Sequence, residues 1–157
     1  MNEEDLDIIR EELLRKPYRI IDILPEQTPA RFAAAYSALE KHCFRDPKAD
    51  MPYARFLNLL VKLGCFCDIA ACRADNDEWI GAPEPKYLSE ALSGLAETCR
   101  GGMHFLMDGG KLLITLDAGD LYMTVYGSCP RIMRRIKQLA RSEGLFVWKK
   151  HGRITIK

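Results

Sequence analysis

The chain has 157 residues, 48% of them hydrophobic and 29% charged, and a net charge of +1. That length and balance suit one globular domain, large enough to bury a core without a disulfide or a metal. No apolar run approaches the roughly 18 residues of a membrane span. The acidic opening, Met1 to Asp5, has no apolar stretch of the secretory kind, so a cytoplasmic location without membrane contact is expected.

The first helix is predicted from Glu3 to about Arg15. Asn2 caps it, acidic residues fill its first turn, and Leu6, Ile9 and Leu13 form an apolar stripe. Tyr18 to Leu24 is a β-prone run closed by Pro25. A second helix opens at Thr28-Pro29, with Thr28 as N-cap and Phe32, Tyr36 and Leu39 inward. A third starts at Pro52, with Phe56, Leu59, Leu60 and Leu63 inward and Gly64 at its end. Cys65 to Cys72 reads as a central strand, 74–84 as a loop, and Pro85 to Thr98 as a fourth helix.

Residues 103 to 126 carry the strongest local signal, a three-stranded antiparallel meander. Gly109-Gly110 suits a tight hairpin, because both residues accept positive φ. That turn sets Met107 opposite Leu112, Phe105 opposite Ile114 and Met103 opposite Leu116. Treating Ala118-Gly119 as a second two-residue loop sets Leu116 opposite Leu121, Ile114 opposite Met123 and Leu112 opposite Val125. One face is then apolar throughout. The reverse carries a row His104–Thr115–Tyr122 and a second row Leu106–Leu113–Thr124, with Tyr126 beyond.

Ser128 is expected to cap a fifth helix, with Ile132, Ile136, Leu139 and Ala140 inward. A last hairpin, 145–149 with 153–156, closes the chain around Lys150-His151-Gly152. The fold class expected is α+β: a mixed, mainly antiparallel sheet built on the meander, with about five helices, in a single domain over 1–157.

Six cysteines, Cys43, Cys65, Cys67, Cys72, Cys99 and Cys129, read as reduced and mostly buried thiols. On a strand, Cys65 and Cys67 would share a face and Cys72 would oppose them, so no four-ligand zinc set forms and no metal is expected. The acidic loop at 75–78 has Trp79 and Ile80 where a calcium loop needs a ligand and Gly, and Trp79 is expected to plug the core edge. Neither Gly pair makes a phosphate loop. No cofactor and no catalytic residue is assigned. His104, beside Thr115, is a candidate for a general acid–base role, but a partly exposed hydrogen-bonding row is the plainer reading.

Charge is unevenly spread. Residues 129–157 hold nine Lys/Arg and one acid, a net +8, which leaves −7 on the rest. Arg131, Arg134, Arg135 and Arg141 on the fifth helix, with Lys149 and Lys150 after it, form a candidate nucleic-acid surface. A strand precedes that helix, so a helix-turn-helix is absent. A solvated face that balances the acidic remainder is the plainer reading.

Four stretches, Tyr18–Pro25 (YRIIDILP), Asp77–Ile80 (DEWI), Tyr122–Tyr126 (YMTVY) and Ser142–Lys149 (SEGLFVWK), resemble small uncharacterised proteins of Gram-positive anaerobic bacteria. The resemblance covers most of the chain. It implies a cytoplasmic bacterial protein and carries over no activity and no site.

The sequence therefore points first to a non-enzymatic binding or regulatory domain with a protein partner or a second copy of itself. Its candidate face is the reverse of the meander: His104, Thr115, Tyr122 and Tyr126, with Leu106 and Leu113 as an apolar patch. The alternatives are nucleic-acid binding through 129–157 and an enzyme with a site near His104.

Overall fold

The structure is a computed structural model and describes residues 1–45, 52–76 and 78–150. It is α+β, with helices α1 (Glu3–Leu13), α2 (Ala33–Arg45), α3 (Pro52–Leu63), α4 (Pro85–Thr98) and α5 (Pro130–Ser142). The strands are β1 (Tyr18–Asp22), β2 (Ile69–Arg73), β3 (Trp79–Gly81), β4 (Gly102–Met107), β5 (Leu112–Asp117), β6 (Tyr122–Gly127) and β7 (Phe146–Trp148). They form one seven-stranded sheet in the order β3-β2-β4-β5-β6-β1-β7. Every neighbouring pair is antiparallel, so the mixed sheet expected above gives way to an antiparallel one.

Alternation along each strand divides the sheet into two faces. On one face Phe105, Ile114 and Val125 lie side by side across β4, β5 and β6. Three helices cover this face, because their apolar stripes have nowhere else to go. Phe56, Leu59, Leu60 and Leu63 come from α3, Leu88, Leu92 and Leu95 from α4, and Ile132, Ile136 and Ala140 from α5.

The reverse face has a different cover. A row runs across all seven strands: Trp79, Cys72, His104, Thr115, Thr124, Ile20 and Trp148. On the β2–β4–β5 side, α1 packs Leu6, Ile9 and Leu13 onto Leu106 and Leu113. A capping box between Asn2 and Asp5 starts α1. Its acids also serve the tertiary fold: Asp7 accepts from Trp79 Nε1 at 2.7 Å, and Glu3 accepts from the Trp79 backbone N–H at 3.2 Å.

Several expectations are corrected. Met107, Phe105 and Met103 do face Leu112, Ile114 and Leu116. The second register is shifted by two residues: Ile114 faces Val125 and Leu112 faces Gly127. An even shift keeps each side chain on its expected face but changes the rows, so His104 and Thr115 align with Thr124 rather than Tyr122. The cause is distant. Tyr53 of α3 donates to Asp117 O at 3.2 Å and accepts from Gly119 N–H at 3.1 Å, which clamps a longer loop. Leu121 is fully buried in that loop.

The strand expected from Cys65 begins at Ile69, because α3 runs on into turns: Cys65 N–H donates to Lys62 O, and Phe66 N–H to Leu63 O. Only Cys43 and Cys72 are buried; Cys67 and Cys129 are half-buried and Cys65 and Cys99 exposed. None of the six forms a disulfide among the described residues. The 74–84 loop contains the edge strand β3. Pro29, extended at ψ 145°, caps a single 3₁₀ turn, Ala30–Phe32, and α2 follows it. Phe32, expected inward, is exposed. Cys129 rather than Ser128 occupies the N-cap position of α5, without a side-chain capping hydrogen bond. The first arm of the closing hairpin is β7, paired to β1; the second arm, 153–156, lies outside the described residues.

Candidate functional site

With α1 over one half of the reverse face, the other half is roofed by the segment that leads into α2. Between that segment and the sheet lies a cleft of about 600 Å³. This is within the range of small-molecule sites. Tyr18, Ile20 and Asp22 of β1 and Tyr122, Thr124 and Tyr126 of β6 make its floor, with Thr115 and Asp117 of β5 beside them. Gln27, Thr28, Pro29, Ala30, Ala33, Tyr36 and Ser37 make the opposite wall, and Trp148 and Lys150 close one end. The floor follows from period two: Tyr18, Ile20 and Asp22 alternate with inward Ile21, which packs on the helical side.

Asp22 is the deepest polar group, 4% exposed. Leu24 N–H donates to its Oδ1 at 3.2 Å. Burial raises the Asp22 carboxyl to about 6, against the lowering pull of the Leu24 and Ile23 N–H groups and the Trp148 indole. Asp120, on the β5–β6 loop, is also raised to about 6, by burial first and then by Asp117 and Glu40. Tyr36 and Tyr122 are both raised, by burial and by the surrounding carboxylates, so both keep their phenolic protons at neutral pH. The Tyr126 ring lies tilted at 51° against Tyr18 with ring centroids 5.6 Å apart, and burial raises the Tyr126 phenol.

The structure brings together three of the four residues of the expected face: Thr115, Tyr122 and Tyr126 all line the cleft. His104 does not. It lies on the α1 side, with its Nδ1 buried and without a hydrogen-bond partner among the described residues. Burial and the Arg10 guanidinium lower its pKa. Leu106 and Leu113 are 3% and 0% exposed beneath α1, so the apolar patch expected there is interior packing. Reading along the chain missed Asp22, Asp120, Tyr36, Tyr18 and Trp148. The alternation of Tyr18, Ile20 and Asp22 was the available signal, but which strands flank β1 was not local information.

The basic set is divided. Arg131 pairs with Asp108 at 2.9 Å, and Arg135 lies 4.1 Å over the Phe66 ring. Arg134 and Arg141 are exposed on the outer side of α5. Lys149 is exposed past β7, while Lys150 sits at the cleft, across the sheet from α5. Among the described residues no three His, Cys, Asp or Glu side chains are placed to hold a metal ion. No helix among them is long and apolar enough to cross a membrane. No protein-family model matches the chain, and no curated protein or solved structure matches it.

Proposed function

We propose that this chain is a non-enzymatic binding or regulatory domain, and that it receives its ligand in the cleft between the β1–β6–β5 floor and the wall at 27–37. The observation that carries this is the division of the reverse sheet face. One half is sealed by α1 with apolar side chains, and the other is left concave and lined with hydroxyls, rings and carboxylates. A sheet face that only needed cover would be packed with apolar groups, since unpaired buried polar groups cost free energy. His104, the motive for an enzymatic reading, lies outside the cleft. A ligand here is either a small molecule or a side chain presented by a protein partner.

The test is a ligand-observed screen of fragment mixtures against the protein and against Ala33→Trp, which fills the cleft from its exposed wall. Fragments that bind the parent and are lost from the filled variant support the proposal. Fragments that bind both equally contradict it.

A second reading, nucleic-acid binding, has one favourable observation. Arg134 and Arg141 are two helical turns apart and share the exposed outer stripe of α5 with Lys137. Its test is binding to mixed-sequence DNA or RNA, which should weaken steeply with salt and fall in Arg134→Glu/Arg141→Glu. Absence of binding at low salt removes it.

A further inference from the structure

We infer that the cleft takes an organic cation, one bearing a primary ammonium or guanidinium group, with Asp22 at its floor, Asp117 and Asp120 at its rim, and the rings of Tyr36 and Tyr122 alongside. This rests on the cleft being the binding site and specifies the class of ligand.

Three observations converge on it. The first is charge. Three carboxylates line the cleft, and Lys150 is the one Lys or Arg among its described lining residues. None of the three carboxylates is in an ion pair among the described residues. Asp22 is more than nine-tenths buried, with little water around it, and no Lys or Arg among the described residues pairs with it. A buried carboxylate without a cation is costly, and a bound cation removes that cost.

The second is the aromatic lining. Tyrosines stand on the floor and on the opposite wall, and Trp148 at one end. The faces of such rings attract ammonium and guanidinium groups, more strongly where water is excluded. An anionic ligand would meet both the carboxylates and the negative ring faces.

The third is spacing. Asp22 is on β1 and Asp117 on β5, with β6 between them. Two strand spacings separate their backbones by about 10 Å. A metal ion cannot bridge that gap, but an extended amine can lie along it, over Tyr122. The same chemistry is available from a free diamine or polyamine and from a lysine or arginine side chain of a partner protein.

The experiment is calorimetric titration at low salt with 1,4-diaminobutane, spermidine and short neutral-capped peptides containing one Lys or one Arg. Glutarate and 1,4-butanediol serve as anionic and uncharged controls, and the resonances of Tyr36 and Tyr122 report the location. The expected result is binding of the cations at the cleft, weakened at least tenfold in Asp22→Asn and in Asp120→Asn, with neither control binding. Tighter binding of the free amines identifies a small-molecule ligand; tighter binding of the peptides identifies a partner's side chain. If glutarate or butanediol binds the cleft as tightly as the diamine, the cation inference is overturned and the binding site stands. If no cation binds while the fragment screen still finds ligands in the cleft, the cation inference alone falls. If the screen is empty as well, the binding site falls with it.

Discussion

Asp22 and Tyr122 stand opposite each other on the β1–β6 ladder, and both line the cleft. A buried acid beside a phenol is an unusual floor for a sheet that has three helices on its other face. Tyr36 of α2 and the Trp148 indole, which donates to Leu24 O at 3.1 Å, lie close to Asp22, with Asp120 near enough to Tyr36 and Tyr122 to affect them. Burial raises both the Asp22 and the Asp120 carboxyl to about 6, so the charge of the cleft responds to pH through both.

Because Asp22 and Asp120 are raised from 3.8 to about 6, the folded state holds their protons more tightly than the unfolded chain does. Their contribution to stability is then fully present below pH 4 and is lost as pH rises through 6. Asp22→Asn removes the buried charge, so it should stabilise the protein at pH 7.5 by roughly 1–3 kcal/mol. The gain should shrink towards pH 4. Urea denaturation at pH 4.5, 6 and 7.5 measures it; a variant equally destabilised at all three would show that Asp22 serves structure rather than binding.

His104 makes the opposite contribution. Its lowered pKa means that the unfolded chain takes up a proton that the folded state resists, so this part of the stability is lost as pH falls below 6.5. A proton NMR titration should place the His104 midpoint below 6.5. A midpoint at or above that value would mean that α1 does not cover the ring.

Gly127 and Gly109 both have positive φ, 103° and 68°, but they differ in their surroundings. A Cβ on Gly127 would lie 2.7 Å from Lys111 O and 3.0 Å from Leu13 Cδ2, where α1, β5 and β6 meet. A Cβ on Gly109 would meet nothing within 4 Å. Gly109→Ala should cost about 1 kcal/mol, from backbone strain alone. Gly127→Ala should cost roughly 2–4 kcal/mol, because steric overlap adds to the strain. Equal midpoints in urea would contradict the packing of α1 on the meander.

Much of the fold was legible where local chemistry decides it. The Asn2 cap, the α3 stripe through Phe56 and Leu63, and the register fixed by Gly109-Gly110 are all set by residues close in sequence. What could not be read was set from a distance. The β5–β6 loop looks like a two-residue turn until Tyr53 clamps it. Trp79 lies in a polar stretch that reads as loop, and it becomes strand β3 by pairing with Cys72 and bonding to Glu3 and Asp7 of α1. The cleft was half legible: Thr115, Tyr122 and Tyr126 follow from the pleat of the meander. Asp22 and Tyr36 reach it only because β1 pairs with a strand about 100 residues away and the segment into α2 folds over both.

The most direct test of the cleft as the binding site is to map where a cation lands. Amide and side-chain shifts of labelled protein should be followed during titration with spermidine at low salt. The predicted result is saturable shifts concentrated at Asp22, Tyr36, Thr115, Tyr122 and Thr124, absent in Ala33→Trp. Shifts scattered over the acidic surface that do not saturate, or that persist in the filled variant, would contradict it.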